Sequence, residues 1–186
     1  MSLKLFQDYS TKLQKILSDF DWSVVEGLAQ DLKLVKKHGN TVFLCGNGGS
    51  AANSLHIAND FVYGIGGAGE QGIKAQALAA NQSLLTCLAN DIGYDEIFSY
   101  QLKMLAKKGD LLIVFSGSGN SPNIINALIE AKRTNIKSYA ILGYSGGKAR
   151  ELADEVIHFH VDDMQISEDC QLVVGHMLMR QLNNCD

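Results

Sequence analysis

Two short polar segments of this chain have the composition of a phosphate-binding site. The first glycine loop is Cys45-Gly46-Asn47-Gly48-Gly49-Ser50, and the second glycine loop is Phe115-Ser116-Gly117-Ser118-Gly119-Asn120-Ser121-Pro122. Each follows an apolar, strand-like run and opens a predicted helix, where glycine permits close backbone approach and hydroxyl and free amide groups donate hydrogen bonds. Either loop alone fits an ordinary strand-to-helix turn equally well. Together they predict one site for a small phosphorylated molecule.

Four polar side chains at helical spacing can do acid–base or metal chemistry beside these loops. His56 and Asp60 are four residues apart and therefore share one face of the helix that follows the first glycine loop. Glu168 and His176 are eight residues apart in the last predicted helix, roughly 80° apart around its axis. The four can converge on one cleft, although a capping or surface role is the commoner one for each alone. Their neighbour Asp169 is predicted to be an exposed surface residue.

Other polar residues have simpler interpretations. His158 and His160 alternate on the last predicted strand without a carboxylate at ligand spacing, which indicates solvent-facing side chains and not metal ligands. Asn90 and Asp91 follow an apolar run at a predicted helix end, where a turn is the default. The four cysteines are scattered and form no Cys-x-x-Cys pair, which predicts reduced thiols.

Two nucleotide-binding patterns are only partly matched. Gly46-x-Gly48-x-x-Ala51 satisfies the loose dinucleotide fingerprint, but the second predicted strand ends Leu78-Ala79-Ala80-Asn81, without the acidic residue that binds ribose hydroxyls. Residues 143–148 resemble a P-loop, but the glycine spacing is one residue short and Ala149 stands where Ser or Thr holds magnesium. Nucleotide chemistry is therefore disfavoured.

Composition places the chain among globular proteins. Its 186 residues, 46% of them hydrophobic, suffice for one buried core. A net charge of −4 argues against nucleic-acid binding through a basic face. The apolar runs are short and the N-terminus lacks a secretory pattern, so we expect a cytoplasmic protein with no membrane partner.

The periodicity predicts a single domain over residues 1–186 with two parts. Apolar residues recur at helical spacing over residues 3–38, which predicts an N-terminal arm of two helices divided near Asp21. Over residues 39–186, strands alternate with helices, as in βαβ units, and predict a three-layer αβα sandwich around a five-stranded parallel sheet. The predicted strands are 41–45, 73–79, 111–115, 138–142 and 156–161. The predicted core helices are 50–63, 83–89, 94–106, 122–134, 147–153 and 167–183, and residues 65–72 are predicted to be a mobile loop.

These motifs together resemble the SIS-domain (sugar isomerase) family and, within it, the phosphoheptose isomerases. The resemblance rests on Cys-Gly-Asn-Gly-Gly-Ser-Ala-Ala with His56, on Leu-Ala-Asn90-Asp91, on Ser-Gly-Ser-Gly-Asn-Ser, and on the late Gly175-His176-Met177. It covers nearly the whole chain. It implies a flavodoxin-like sandwich, a homotetramer that uses residues 1–38 for assembly, and active sites at subunit interfaces.

The resemblance also implies the site residues. Those that would bind a sugar phosphate are Asn47, Gly48, Gly49, Ser50, Asn90, Asp91, Ser116, Gly117, Ser118 and Ser121. Those that would hold zinc and transfer protons are His56, Asp60, Glu168 and His176. Asp60 stands where the family has Glu and Glu168 where it has Gln; two imidazoles and two carboxylates remain suitable zinc ligands.

The implied reaction is isomerisation of sedoheptulose 7-phosphate to D-glycero-D-manno-heptose 7-phosphate through an enediol. Asp60, assisted by Glu168, would be the base and His176 the complementary acid. The alternative is a non-catalytic SIS module that senses a sugar phosphate or docks on a protein partner. The two substitutions favour that alternative, whereas the retained histidines and acids oppose it.

Overall fold

The computed structural model describes residues 2–66 and 72–183. Within them, one five-stranded parallel sheet lies between two layers of helices, which confirms the predicted αβα class. The strands are β1 (Thr41–Cys45), β2 (Lys74–Ala77), β3 (Leu111–Ser116), β4 (Lys137–Leu142) and β5 (Glu155–His158). The helices are α1 (Ser2–Asp19), α2 (Ser23–His38), α3 (Gly49–Asn59), α4 (Gln82–Asp91), α5 (Ser99–Leu105), α6 (Pro122–Thr134), α7 (Ala149–Leu152) and α8 (Met164–Asn183). A π-helical turn covers Asp60–Gly64 and a 3-10 turn covers Tyr94–Glu96.

The strand order in the sheet is β2-β1-β3-β4-β5, and every adjacent pair is parallel. The chain winds outward from β1 to β2 and then returns to place β3 on the other side of β1. Such a reversal opens a crevice at the carboxyl ends of the two strands, which is the usual ligand site of open α/β sheets. Both glycine loops lie there, because one follows β1 and the other follows β3.

Alternation along the strands divides the core into two halves. Val42 and Leu44 of β1 face one half, with buried residues of α2, α3 and α8, whereas Phe43 and Cys45 face the other, with α4, α5 and α6. Helix α3 therefore begins at the crevice and packs on one face of the sheet, whereas α6 begins there and packs on the opposite face. None of the helices within residues 2–66 and 72–183 is both long and apolar enough to cross a membrane.

The two N-terminal helices pack differently. Five residues of α2 are buried in the core, whereas α1 contributes only half-buried side chains and exposes Leu3, Leu5 and Phe6. Helix α1 is held to α8 by a hydrogen bond in which Tyr9 Oη donates to Asp169 Oδ2 at 2.6 Å. Asp169 is therefore half-buried, and its predicted full exposure is wrong because α1 covers it.

Several element boundaries differ from the predicted ones. The single helix predicted over 94–106 is divided into the 3-10 turn and α5, because Ile97 and Phe98 between them are buried in the core. The helix predicted over 50–63 changes from α to π geometry at Asp60, whose carbonyl accepts from the Ile65 amide at 2.9 Å. Residues 67–71 of the predicted mobile loop lie outside the described residues.

Candidate functional site

The first glycine loop is shaped by two glycines that no other residue could replace. Gly48 has φ 55° and ψ −122°, a backbone conformation open essentially to glycine alone. A Cβ on Gly46 would lie 2.6 Å from the Ser50 carbonyl carbon, so the chain turns tightly into α3. The first amides of a helix have no intrahelical partner and carry the positive end of its dipole. The loop therefore presents backbone donors suited to an anion.

The second glycine loop presents hydroxyl groups. Ser116 Oγ accepts from the Gly119 amide at 3.0 Å, and Ser118 Oγ accepts from the Asn120 amide at 3.3 Å. Because each hydroxyl accepts in these bonds, its proton stays available to donate to a ligand. Ser121 caps α6 without a side-chain capping bond, so its hydroxyl is available as well.

All eight predicted phosphate-binding residues of the two loops line one cavity of about 240 Å³, which we call the anion cavity. Its lining is Asn47, Gly48, Gly49, Ser50, Phe115, Ser116, Gly117, Ser118, Ser121, Met164 and Glu168. The last two belong to α8, so the last helix closes the side of the cavity that the loops leave open.

Helices α3 and α8 run side by side in the same direction away from this cavity. Asn53 Nδ2 donates to Gln171 Oε1 at 3.1 Å and to the Glu168 carbonyl at 2.9 Å. One turn further along, a Cβ on Gly175 would lie 2.5 Å from Ile57 Cδ1, so the Ile57 side chain packs directly against the backbone of α8. A residue in α3 thus has a fixed counterpart in α8.

This alignment brings His56, Asp60 and His176 together, a set that we call the histidine–aspartate group. The two histidine Nε2 atoms are 3.0 Å apart. Asp60 Oδ2 lies 3.5 Å from His56 Nε2 and 3.8 Å from His176 Nε2. The Asp60 side chain is 15% exposed, whereas those of His56 and His176 are 50% and 45% exposed. A half-open group of this kind is accessible to a ligand.

The histidine–aspartate group fits a divalent metal. Its three ligand atoms lie within 4.8 Å of one another. Two ligands of a tetrahedral zinc ion, each 2.0–2.1 Å from the metal, are about 3.3 Å apart, and the observed separations of 3.0, 3.5 and 3.8 Å bracket that value. Three protein ligands with an open fourth position are typical of catalytic zinc sites.

Glu168 lies apart from the histidine–aspartate group. Its carboxylate lines the anion cavity and contacts Gly49, where a Cβ would overlap the carboxylate oxygens. The eight residues from Glu168 to His176 span about 12 Å along α8. Its predicted role as a metal ligand and assisting base stays a prediction.

The remaining predicted residues lie at the edges of the site. Asn90 and Asp91 are exposed at the end of α4, where Asn90 Nδ2 donates to Asp91 Oδ1 at 2.8 Å, and neither lines the anion cavity. His158 is half-buried at the end of β5 and His160 is exposed just beyond it, with ring centroids 3.7 Å apart, so the predicted exposure to solvent holds for His160 and only in part for His158. Burial lowers the pKa of His158, whose Nε2 contacts the Tyr144 carbonyl at 3.0 Å.

Sequence reasoning missed Asn123 and Tyr94, which contact Asn47 from two other segments. Asn123 follows Pro122 at the start of a helix, where an exposed polar residue is usual, so no local pattern marks it. Tyr94 lies 47 residues from its partner, and only the fold brings them together.

Comparison with known proteins shows the family of the chain. The family model described as the SIS domain matches residues 6–143. A phosphoheptose isomerase of Chlorobaculum parvum is 35% identical over 173 residues, covering 92% of this chain and 83% of that protein. One from Burkholderia pseudomallei is 41% identical over 140 residues, covering 75% of this chain and 71% of that protein.

Solved structures show the same fold. The phosphoheptose isomerase from Neisseria gonorrhoeae superimposes with a TM-score of 0.90 at 24% identity, and that from Francisella tularensis with 0.91 at 23%, each over 100% of both chains.

The fold and the paired glycine loops thus define a SIS domain. The chain belongs to the phosphoheptose isomerase family of SIS-domain proteins. Because these relatives are named as enzymes, the non-catalytic alternative is not favoured.

Proposed function

We propose that this protein is a sugar-phosphate isomerase that interconverts sedoheptulose 7-phosphate and D-glycero-D-manno-heptose 7-phosphate through an enediol. The observation that carries the proposal is the position of two chemically different sites along one helix pair. The anion cavity lies at the start of α3 and α8, and the histidine–aspartate group lies further along both. From Gly49 to His56, α3 rises about 10 Å. An extended sugar phosphate fits this span, with its phosphate in the cavity and its carbonyl end at the histidines.

The chain's own residues supply the proton transfer. The Asp60 carboxylate takes the proton from C1, next to the C2 carbonyl of the ketose, and the carbonyl oxygen takes up a proton from solvent, which gives the enediol. His176, whose Nε2 belongs to the histidine–aspartate group, delivers a proton to C2 from its other ring nitrogen, Nδ1, and the O1 hydroxyl releases its proton to solvent, which leaves the C1 aldehyde. Histidine suits this role because its unperturbed pKa lies near neutral pH. The glycine loops bind the phosphate and so contribute binding energy for alignment of the reacting carbons.

We include zinc in the proposal, held by His56, Asp60 and His176; Glu168, which lies about 12 Å away along α8 in the anion cavity, is not included. When bound, the ion would polarise the substrate carbonyl. The support is the donor set, two imidazole nitrogens and one carboxylate at separations that suit one tetrahedral ion.

The direct test is conversion of sedoheptulose 7-phosphate by the purified protein in D2O, followed by proton NMR. We expect the aldose to form and the carbon next to its carbonyl to acquire deuterium, because the proton that His176 delivers to that carbon exchanges with solvent. Asp60→Asn should lower kcat by about 10²- to 10⁴-fold and leave the affinity for inorganic phosphate within twofold. Asp162→Asn, which removes an exposed carboxylate outside the site, is the matched control. Tight phosphate-ester binding without conversion or exchange, with zinc supplied, would indicate a sensor instead.

We also propose a homotetramer in the cytoplasm, assembled through residues 1–38. The support for assembly is the exposed apolar part of α1, where Leu3, Leu5 and Phe6 are 75%, 67% and 66% exposed. Light scattering after size exclusion should give four times the chain mass. Leu5→Glu combined with Phe6→Glu should reduce that mass, whereas Lys4→Glu, a charge change on the same helix, should not.

A further inference from the structure

The two glycine loops are joined behind the anion cavity by a reciprocal pair of amides. Asn47 Nδ2 donates to Asn123 Oδ1 at 2.8 Å, and Asn123 Nδ2 donates to Asn47 Oδ1 at 2.8 Å. Asn47 belongs to the first loop and lines the cavity, whereas Asn123 is the second residue of α6 and follows the second loop. These two hydrogen bonds therefore span the crevice between β1 and β3.

Asn123 is in a position to act on the cavity without touching a ligand. It is 1% exposed and does not line the cavity. A buried amide that loses its partner leaves a donor and an acceptor unsatisfied, which is costly in the protein interior. The pair thus strongly favours one separation between the two glycine loops. This separation also sets the distance between the backbone donors of the first loop and the hydroxyl groups of the second loop.

A third segment reaches the same amide. Tyr94 Oη donates to Asn47 Oδ1 at 3.0 Å, so this oxygen accepts from both Tyr94 and Asn123. Both acceptor positions of the Asn47 side chain are then occupied, and only the second proton on its nitrogen remains for a ligand. Tyr94 opens the 3-10 turn three residues after Asp91, one of the two residues predicted to contact the sugar.

We infer that Asn123 is a positioning residue, which acts through Asn47 to hold the two glycine loops at the spacing that binds phosphate, with Tyr94 joining the 90–94 segment to them. The inference deepens the proposed function and rests on it for the identity of the substrate. Its core claim concerns phosphate affinity, which is measurable without turnover.

The test compares Asn123→Ala, Asn47→Ala, the double variant and Tyr94→Phe. The probes are inorganic phosphate, by calorimetry, and sedoheptulose 7-phosphate, by steady-state kinetics. We expect Asn123→Ala to weaken phosphate binding and raise KM by about tenfold or more, with kcat changed less than threefold. Because the two asparagines act as one unit, the double variant should bind phosphate about as weakly as either single variant. Tyr94→Phe should have a smaller effect of the same sign.

Ser138→Ala is the matched control for loss of stability. Ser138 is 2% exposed near the start of β4, at the end of the sheet opposite the glycine loops, and its Oγ donates to Asp154 Oδ2 at 2.8 Å. Both alanine variants should lower the thermal midpoint, but only Asn123→Ala should weaken phosphate binding. Phosphate affinity within twofold of wild type in Asn123→Ala, additive losses in the double variant, or no phosphate binding by the wild type would each overturn the inference. Failure of the proposed function alone would give a different result: the wild type would bind phosphate but would not convert the sugar phosphate.

Discussion

The Nε2 atoms of His56 and His176 lie 3.0 Å apart although 120 positions separate the two residues in the chain. Two imidazole nitrogens at this distance need a proton or a cation between them, since two lone pairs would repel. The carboxylate of Asp60 beside them adds the negative charge that favours a cation. The pair thus links the third helix to the last one, and the first prediction concerns it.

Removal of one imidazole should weaken zinc binding. We expect His176→Ala to lower zinc affinity at least tenfold, because the site loses one of three ligands that leave the fourth position open. Competition with a chromophoric chelator, together with metal analysis of the purified protein, measures the affinity. His38→Ala removes an exposed histidine at the end of α2 and should leave it unchanged. Equal affinities in the two variants would mean that zinc is held elsewhere.

Glu168 should oppose the binding of phosphate. Its carboxylate lines the anion cavity, and two unit charges about 4 Å apart repel by about 1 kcal/mol even at the dielectric constant of water. We expect Glu168→Gln to tighten the binding of inorganic phosphate by about tenfold at low salt, since phosphate carries up to two charges.

Calorimetry at low and high ionic strength checks this prediction, because screening should shrink the gain. Glu151→Gln makes the same chemical change at an exposed position of α7 and should not alter affinity. Weaker binding in Glu168→Gln would show instead that the carboxylate helps to hold the ligand.

A side chain at Gly175 should force α3 and α8 apart. A Cβ there would lie 2.5 Å from both Cδ1 and Cγ1 of Ile57, which is 1% exposed and has little room to move. We expect Gly175→Ala to lower the free energy of unfolding by about 1–2 kcal/mol, since overpacking outweighs the gain in helix propensity.

The same substitution should weaken zinc binding, because His176 follows Gly175 directly. Denaturant titration and the chelator assay measure the two effects. Trimming the opposing side chain, with Ile57→Val in the Gly175→Ala background, should recover part of both. If zinc affinity were unchanged while stability fell, the histidine geometry would not depend on this contact.

Protonation of His158 should destabilise the fold at acidic pH. Burial lowers the pKa of His158, and neighbouring His160 and Arg150 lower it further. Within the described part of the chain its buried Nδ1 has no hydrogen-bond partner, so a proton there would be poorly accommodated. The unfolded chain binds a proton near pH 6.5 and the folded chain only at lower pH.

The stability that His158 contributes is thus present above pH 6.5 and is lost as the pH falls through the lower pKa of the folded state. Chemical denaturation at a series of pH values should show a steeper loss below pH 6.5 in the wild type than in His158→Gln. Parallel curves for the two proteins would contradict the assignment.

The sequence predicted the parts of the site that depend on local patterns. Apolar runs before each glycine loop indicated the parallel sheet, and the spacing of His56 and Asp60 correctly placed them on one helical face. The π-helical turn at Asp60 and the pairing of Asn123 with Asn47 left no local signature. Glu168 shows why spacing alone is insufficient, since it shares a helix with His176 yet lies beside Gly49 because α8 also closes the anion cavity.

The common direction of α3 and α8 also separates charges in space. Both N-termini lie at the anion cavity, so the positive ends of two helix dipoles would favour the phosphate of the proposed substrate there. The carboxylate of Asp60 is eleven residues beyond Gly49, about 16 Å along the axis. That exceeds the Debye length of about 8 Å at physiological ionic strength. A doubly negative group bound in the anion cavity would therefore have little electrostatic influence on the carboxylate that we propose as the proton acceptor.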